Sequence, residues 1–106
     1  MTVREMLDII DATRPNEIDD ALKVRWIKDV EGRVLCEILK RSPDEVREVL
    51  GEDDELCVPA PYARVYLLFA VSMIEFSNRN YDGYAKLCTE FEKAFELYGR
   101  WYIRNS

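Results

Sequence analysis

The sequence predicts an all-α protein: one helical domain over residues 1–106, a small bundle of four to five helices with two long C-terminal helices packed antiparallel. Three observations carry this expectation. Apolar residues recur at three- and four-residue spacing in three long stripes. Two cap signatures of the form Ser/Thr-x-x-Glu head helical stretches. No stretch alternates with period two for long enough to make a strand. With 106 residues, 48% hydrophobic and 34% charged, the chain has the composition of one globular core rather than of a disordered segment.

The elements follow in order. Thr2 and Glu5 form a capping box ahead of Val3, Met6, Leu7 and Ile10, giving a first helix of about three turns. Arg14-Pro15-Asn16 breaks it, and Asn16 is the expected cap of a second helix from Glu17 to Arg41. Leu22, Trp26, Val30, Val34 and Ile38 form the stripe of that helix, with Gly32 a weak point in its middle. Ser42-Pro43-Asp44-Glu45 is a second start signal, leading to a short helix with Val46, Val49 and Leu50 on one face and Gly51 as its stop. Residues 52–60 read as loop. A third major helix runs from Pro61 to about Asn78–Asn80, apolar nearly all round and therefore central. The last begins near Asn80 and carries the strongest periodic signal, Tyr84, Leu87, Cys88, Phe91, Ala94, Phe95, Tyr98, Trp101 and Tyr102. The two long helices are expected to meet through Val65, Phe69, Met73, Phe91 and Phe95.

Composition narrows the function classes. The chain has no histidine, which removes the usual general base and zinc ligand. Cys36, Cys57 and Cys88 are widely spaced, without a C-x-x-C pair, and read as reduced thiols of a cytosolic protein. The net charge of −6 argues against gripping nucleic acid, whose affinity comes largely from neutralised phosphates. The four glycines are isolated, so there is no phosphate-cradling loop. The run Glu52 to Glu55 lacks the alternation and central glycine of a calcium loop. No export-signal pattern heads the chain, and the apolar run Val65 to Ile74 is too short to cross a bilayer. The expectation is a protein without catalytic residues, cofactor or metal.

What remains points to protein contacts. Residues 1–22 hold two basic and six acidic side chains, residues 23–41 six and three, and residues 42–56 one and seven. This is either a set of solvated helix faces or a head-to-tail contact. In the second reading a basic stretch (Lys23, Arg25, Lys28, Arg33, Lys40, Arg41) meets a neighbour's acidic stretch from Asp44 to Glu55, with Glu52, Asp53, Asp54 and Glu55 at its end. Eleven of the twelve aromatic residues lie between Tyr62 and Tyr102. They are either a core where two helices cross or a core whose distal end, Tyr98, Trp101 and Tyr102, anchors another chain.

Three stretches together resemble the head-tail connector (adaptor) proteins of tailed bacteriophages and prophages. The first is Leu22-Lys23-Val24-Arg25-Trp26-Ile27 with Asp29-Val30-Glu31-Gly32-Arg33-Val34. The second is Glu55-Leu56-Cys57-Val58-Pro59-Ala60-Pro61-Tyr62 with Val65-Tyr66 and Met73-Ile74. The third is Tyr81-Asp82-Gly83-Tyr84 with Phe91 and Arg100-Trp101-Tyr102. Cys57 and Gly83 depart from that family's pattern, and the linker before Leu56 is short for it. The resemblance implies a structural protein of the virion neck, assembled in the bacterial host cytoplasm. It would form a homo-oligomeric ring between the portal protein and a tail-side neck protein, with DNA passing through without specific binding. Because exposed ion pairs are individually weak, isolated subunits are expected to be monomeric in dilute solution and to close into a ring only at high concentration or on the portal. The alternative is a small helical regulatory or adaptor module that binds a single partner.

Overall fold

A computed structural model describes residues 1–106 and contains four α-helices and no strand. Helix α1 spans Val3–Thr13, α2 Asp20–Arg33, α3 Arg64–Ser77 and α4 Tyr81–Asn105. The Thr2–Glu5 capping box forms as its spacing dictates, with the Glu5 N–H donating to Thr2 Oγ1 at 3.2 Å and the Thr2 N–H to Glu5 Oε1 at 3.1 Å. Val3, Met6, Leu7 and Ile10 are all buried, so the predicted stripe is the inner face of α1.

Helix α2 starts three residues later than expected. Asn16 accepts from the Ile18 N–H and donates to the Arg14 carbonyl, which makes it the knot of the loop rather than a helix cap; Asp19 takes the cap position. Gly32 does not interrupt the rod. The helix instead widens into a π-helical turn, Val34–Ile38, closed by the Leu39 N–H on the Val34 carbonyl at 3.0 Å. Lys40 follows with φ of 58°, a left-handed conformation that ends a helix, so the expected continuation to Arg41 does not occur. The Ser42–Glu45 box also forms, yet it heads only a single 3₁₀ turn, Pro43–Glu45. Of that segment's apolar residues only Leu50 is buried, while Val49 is 80% exposed. One buried side chain is too little to hold a short helix against solvent.

Helix α3 is the centre of the bundle: it packs against α1, α2 and α4, whereas the main packing of α4 is on α3. The chain turns between them within Asn78–Asn80, where Asn80 caps α4 through the Gly83 N–H. So short a turn sets the two helices antiparallel, and the aromatic pairs record it. Phe76 meets Tyr84 at 5.1 Å, Phe69 meets Phe91 at 5.5 Å, and Tyr62 meets Tyr98 at 5.5 Å between ring centroids. Each step is seven residues up one helix and seven down the other, about 10 Å of helix rise. Val65 is fully buried, Phe91 and Phe95 nearly so, and Met73 packs on the same core. The molecule measures 38 × 28 × 23 Å, and the 25 residues of α4, about 37 Å long, match its longest dimension.

Candidate protein interface

The acidic segment is not a free loop. The first N–H groups of α1 have no helical partner of their own, and this segment supplies their acceptors. The Val3 N–H donates to the Asp54 carbonyl at 3.0 Å and the Arg4 N–H to the Glu52 carbonyl at 2.9 Å, while the Leu56 N–H returns to the Met1 carbonyl at 2.9 Å. Side chains add to the clasp. Arg47 donates to the Glu55 carbonyl at 2.8 Å and lies 3.4 Å from Asp54, and Arg4 lies 3.7 Å from Glu52. Asp54 Oδ2 also accepts the Gly51 N–H at 2.7 Å, so its carboxylate faces its own turn. Asp53 has no ion pair and stays exposed, and the Glu55 side chain reaches the Met1 amino group.

The expected basic stretch divides in the same way. Lys23 is 2% exposed, its ammonium held by Asp11 at 2.7 Å, Asn16 at 3.2 Å and Asp20 at 3.3 Å. It joins α1 to α2 and presents no charge outward. Lys28 donates to the Glu48 carbonyl, and Arg25 is exposed. Arg25 and Lys28 line one shallow groove of about 580 Å³ together with Glu48, Val49 and Glu52. Arg25 and Lys28 of the basic stretch therefore share one surface with Glu48 and Glu52 on the same subunit. Arg33 lies 4.5 Å over the Phe95 ring and pairs with Glu37 at 2.7 Å and Glu92 at 3.2 Å, which fastens the π turn to α4.

The three aromatic candidates sit mainly inside the subunit. Tyr98 is 2% exposed and touches Tyr62, Trp101 and Tyr102; burial pushes its phenol up to about 12. Trp101 is half-buried, 5.4 Å from Tyr62 and stacked on Tyr98. Tyr102 is half-buried beside Ile38, Leu39 and Gly99, where a groove of about 320 Å³ opens between the π turn and the end of α4.

Sequence reasoning missed a buried polar centre. Glu31, 3% exposed, accepts the Cys57 N–H at 3.1 Å, the Cys57 S–H at 3.1 Å and the Tyr66 hydroxyl. The same hydroxyl accepts the Val58 N–H at 3.1 Å, and Arg47 stands 3.8 Å from the carboxylate. Burial and then the neighbouring Glu31 charge push the Cys57 thiol up to about 12, which leaves it a poor nucleophile. Burial likewise raises the Tyr66 phenol. None of the surface grooves is lined by these three side chains; the cluster holds the loop against α2 and α3. Glu31 lies on the apolar stripe of α2, one residue after Val30, and that position was the available signal.

The outer side of α4 was missed as well. Lys86, Lys93 and Arg100 follow at seven-residue intervals, with Arg104 one turn on, all exposed. At about 100° per residue they share one line, opposite the aromatic face. In comparisons with protein-family models, curated proteins and solved structures, nothing matched the chain.

Proposed function

We propose that the chain is a structural neck protein of a tailed phage or prophage. It forms a ring between the portal and the next neck or tail component, around the DNA exit channel. The observation that carries this reading is that the three stretches resembling the adaptor family pack as one unit. Glu31 of the first stretch binds Cys57 and Tyr66 of the second, and Tyr62 of the second packs on Trp101 of the third. The residues that carry the resemblance therefore touch one another in this chain. The chemistry is compatible. The buried Lys23, Glu31 and Glu75 are each held by partners within the chain, and no helix is long and apolar enough to cross a membrane. A net charge of −6 would keep a passing duplex from sticking.

In this role the chain acts by shape and surface and needs no cofactor. Its genome is expected to carry portal, capsid and terminase genes beside it. The test is to mix the purified chain with portal rings from that genome and image the product. A second ring of this chain on the tail-facing side of the portal is the expected outcome. Portal rings that stay bare at saturating chain would overturn the reading.

A further inference from the structure

Residues Ser42–Gly51 carry a complete helix signal that the fold does not use. Ser42 and Glu45 form both bonds of a capping box, with Pro43 in the first helical turn. Asp44 and Glu45 fall in that first turn and Arg47 in the last, the order a helix dipole favours. Val46, Val49 and Leu50 stand at i, i+3 and i+4, one face of a helix, and Gly51 follows as a stop. Yet the helix ends after a single 3₁₀ turn, and Val46 is already extended, with ψ of 126°. From Lys40 to Val49 every residue but Val46 is exposed. Such a conflict between local preference and fold leaves room for a second conformation close in energy.

The surroundings show what holds the observed form and where the other would go. Arg47 is the latch, reaching the Glu55 carbonyl at 2.8 Å, Asp54 at 3.4 Å and Glu31 at 3.8 Å. In a helix it would stand about 100° from Val46, off the apolar face, so these contacts belong to the extended form. Val46 lies against Gly32 of α2, while Val49 and Leu50 border a groove of about 580 Å³ on the same helix beside Ala21 and Val24. Val46 to Leu50, about 13 Å of extended chain, thus covers α2 from Gly32 back to Val24, about 12 Å of helix rise. A helix over Pro43–Leu50 keeps Leu50 in the core, draws Val46 about 7 Å along α2, and turns Val49 into the groove. The exposed residues Lys40 and Arg41 take up the movement. Lys28 already holds the Glu48 carbonyl, one of those that a helix ending at Leu50 leaves free, so that contact survives the change.

We propose that residues 42–51 are a two-state strap. In one state the strap is extended and latched by Arg47, and the α2 groove is open. In the other it is helical, and Val49 fills the groove against Ala21 and Val24. Burial of one valine on one side is set against one charged hydrogen bond on the other, quantities of similar size. Anything that enters the groove competes with Val49 and selects the extended form. The device goes beyond the neck role and does not depend on it.

The test is NMR on the chain alone, reading the Cα chemical shifts of residues 43–50 and amide exchange at Val49. Wild type should show mainly the strap. Arg47→Gln removes the latch at nearly equal helix propensity. It should raise the ratio of helix to strap about ten-fold or more, with helical shifts and slower exchange at Val49. Adding Val49→Asp, whose helix propensity matches that of valine, should reverse the gain, because a carboxylate does not settle on Ala21 and Val24. Val49→Leu keeps the latch and changes an exposed site, and should raise the same ratio about three-fold. Should Arg47→Gln fail to fold, Val49→Leu decides alone. Shifts that stay strap-like or turn to random coil in the folded variants would overturn the proposal. So would a helix that forms equally well in the Arg47→Gln, Val49→Asp pair, since the groove would then have no part in it.

Discussion

The two sides of α4 share a seven-residue period and carry opposite chemistry. Inward, Tyr84, Phe91 and Tyr98 pair with Phe76, Phe69 and Tyr62 across the α3 interface. Outward, Lys86, Lys93 and Arg100 keep the same interval and stay exposed. The contrast teaches how this small domain divides its work. Rings that bury large apolar area hold the monomer, and flexible cations cost little to leave in water. The long aromatic stripe invited the opposite division, with the C-terminal aromatics reserved for a partner.

The strongest break of this comparison is Phe91→Ala. Phe91 is 3% exposed and touches both Phe69 and Phe95, so truncation should cost about 3–5 kcal/mol, read as a lower urea midpoint. A loss near zero would mean that the two helices are not held by these rings.

A second experiment asks whether the polar centre between α2 and α3 matters as much. Glu31→Ala strands the Cys57 N–H and the Tyr66 hydroxyl, and should cost about 2–3 kcal/mol. Tyr66→Phe removes only the hydroxyl between Glu31 and Val58, and should cost about 1–2 kcal/mol. Both are expected to speed amide exchange at Cys57 and Val58 more than along α4.

A smaller effect comes from acid. The Arg14 guanidinium, followed by the Asn80 amide, holds the Glu75 carboxyl below its ordinary value of 4.5. A carboxyl depressed in the folded state stabilises fully above its unfolded value and loses that contribution as pH falls through the folded one. Stability should therefore decline below about pH 4.5, and Glu75→Gln should flatten part of that decline. An unchanged acid profile in Glu75→Gln would show that the link from α1 to the α3–α4 turn contributes nothing.

The hairpin was legible in the sequence because burial writes itself as periodicity. Val65, Phe69, Phe91 and Phe95 stand where helical spacing puts them. Both capping boxes were legible too, since each is a local bond over three residues. What escaped was set by partners distant in sequence. Whether Ser42-Pro43-Asp44-Glu45 opens a helix or a single turn depends on Arg47 reaching Glu55 and Asp54 and on only Leu50 finding the core. The acidic run looked loose because backbone carbonyls accepting from α1 leave no trace in side-chain pattern. Lys23 looked like surface charge until Asp11 and Asp20 closed over it. The cationic row of α4 was present in the spacing, hidden by the louder aromatic stripe opposite it.

The division of labour across α4 is tested most directly by comparing the melting temperatures of Trp101→Ala and of the Lys93→Glu, Arg100→Glu pair. Trp101 packs on Tyr62 and Tyr98, so its truncation should lower the melting temperature. The charge pair is exposed and should melt within about 0.5 kcal/mol of wild type, as exposed substitutions do. The reverse pattern, a Trp101→Ala variant that melts normally and a charge variant that melts early, would contradict the account.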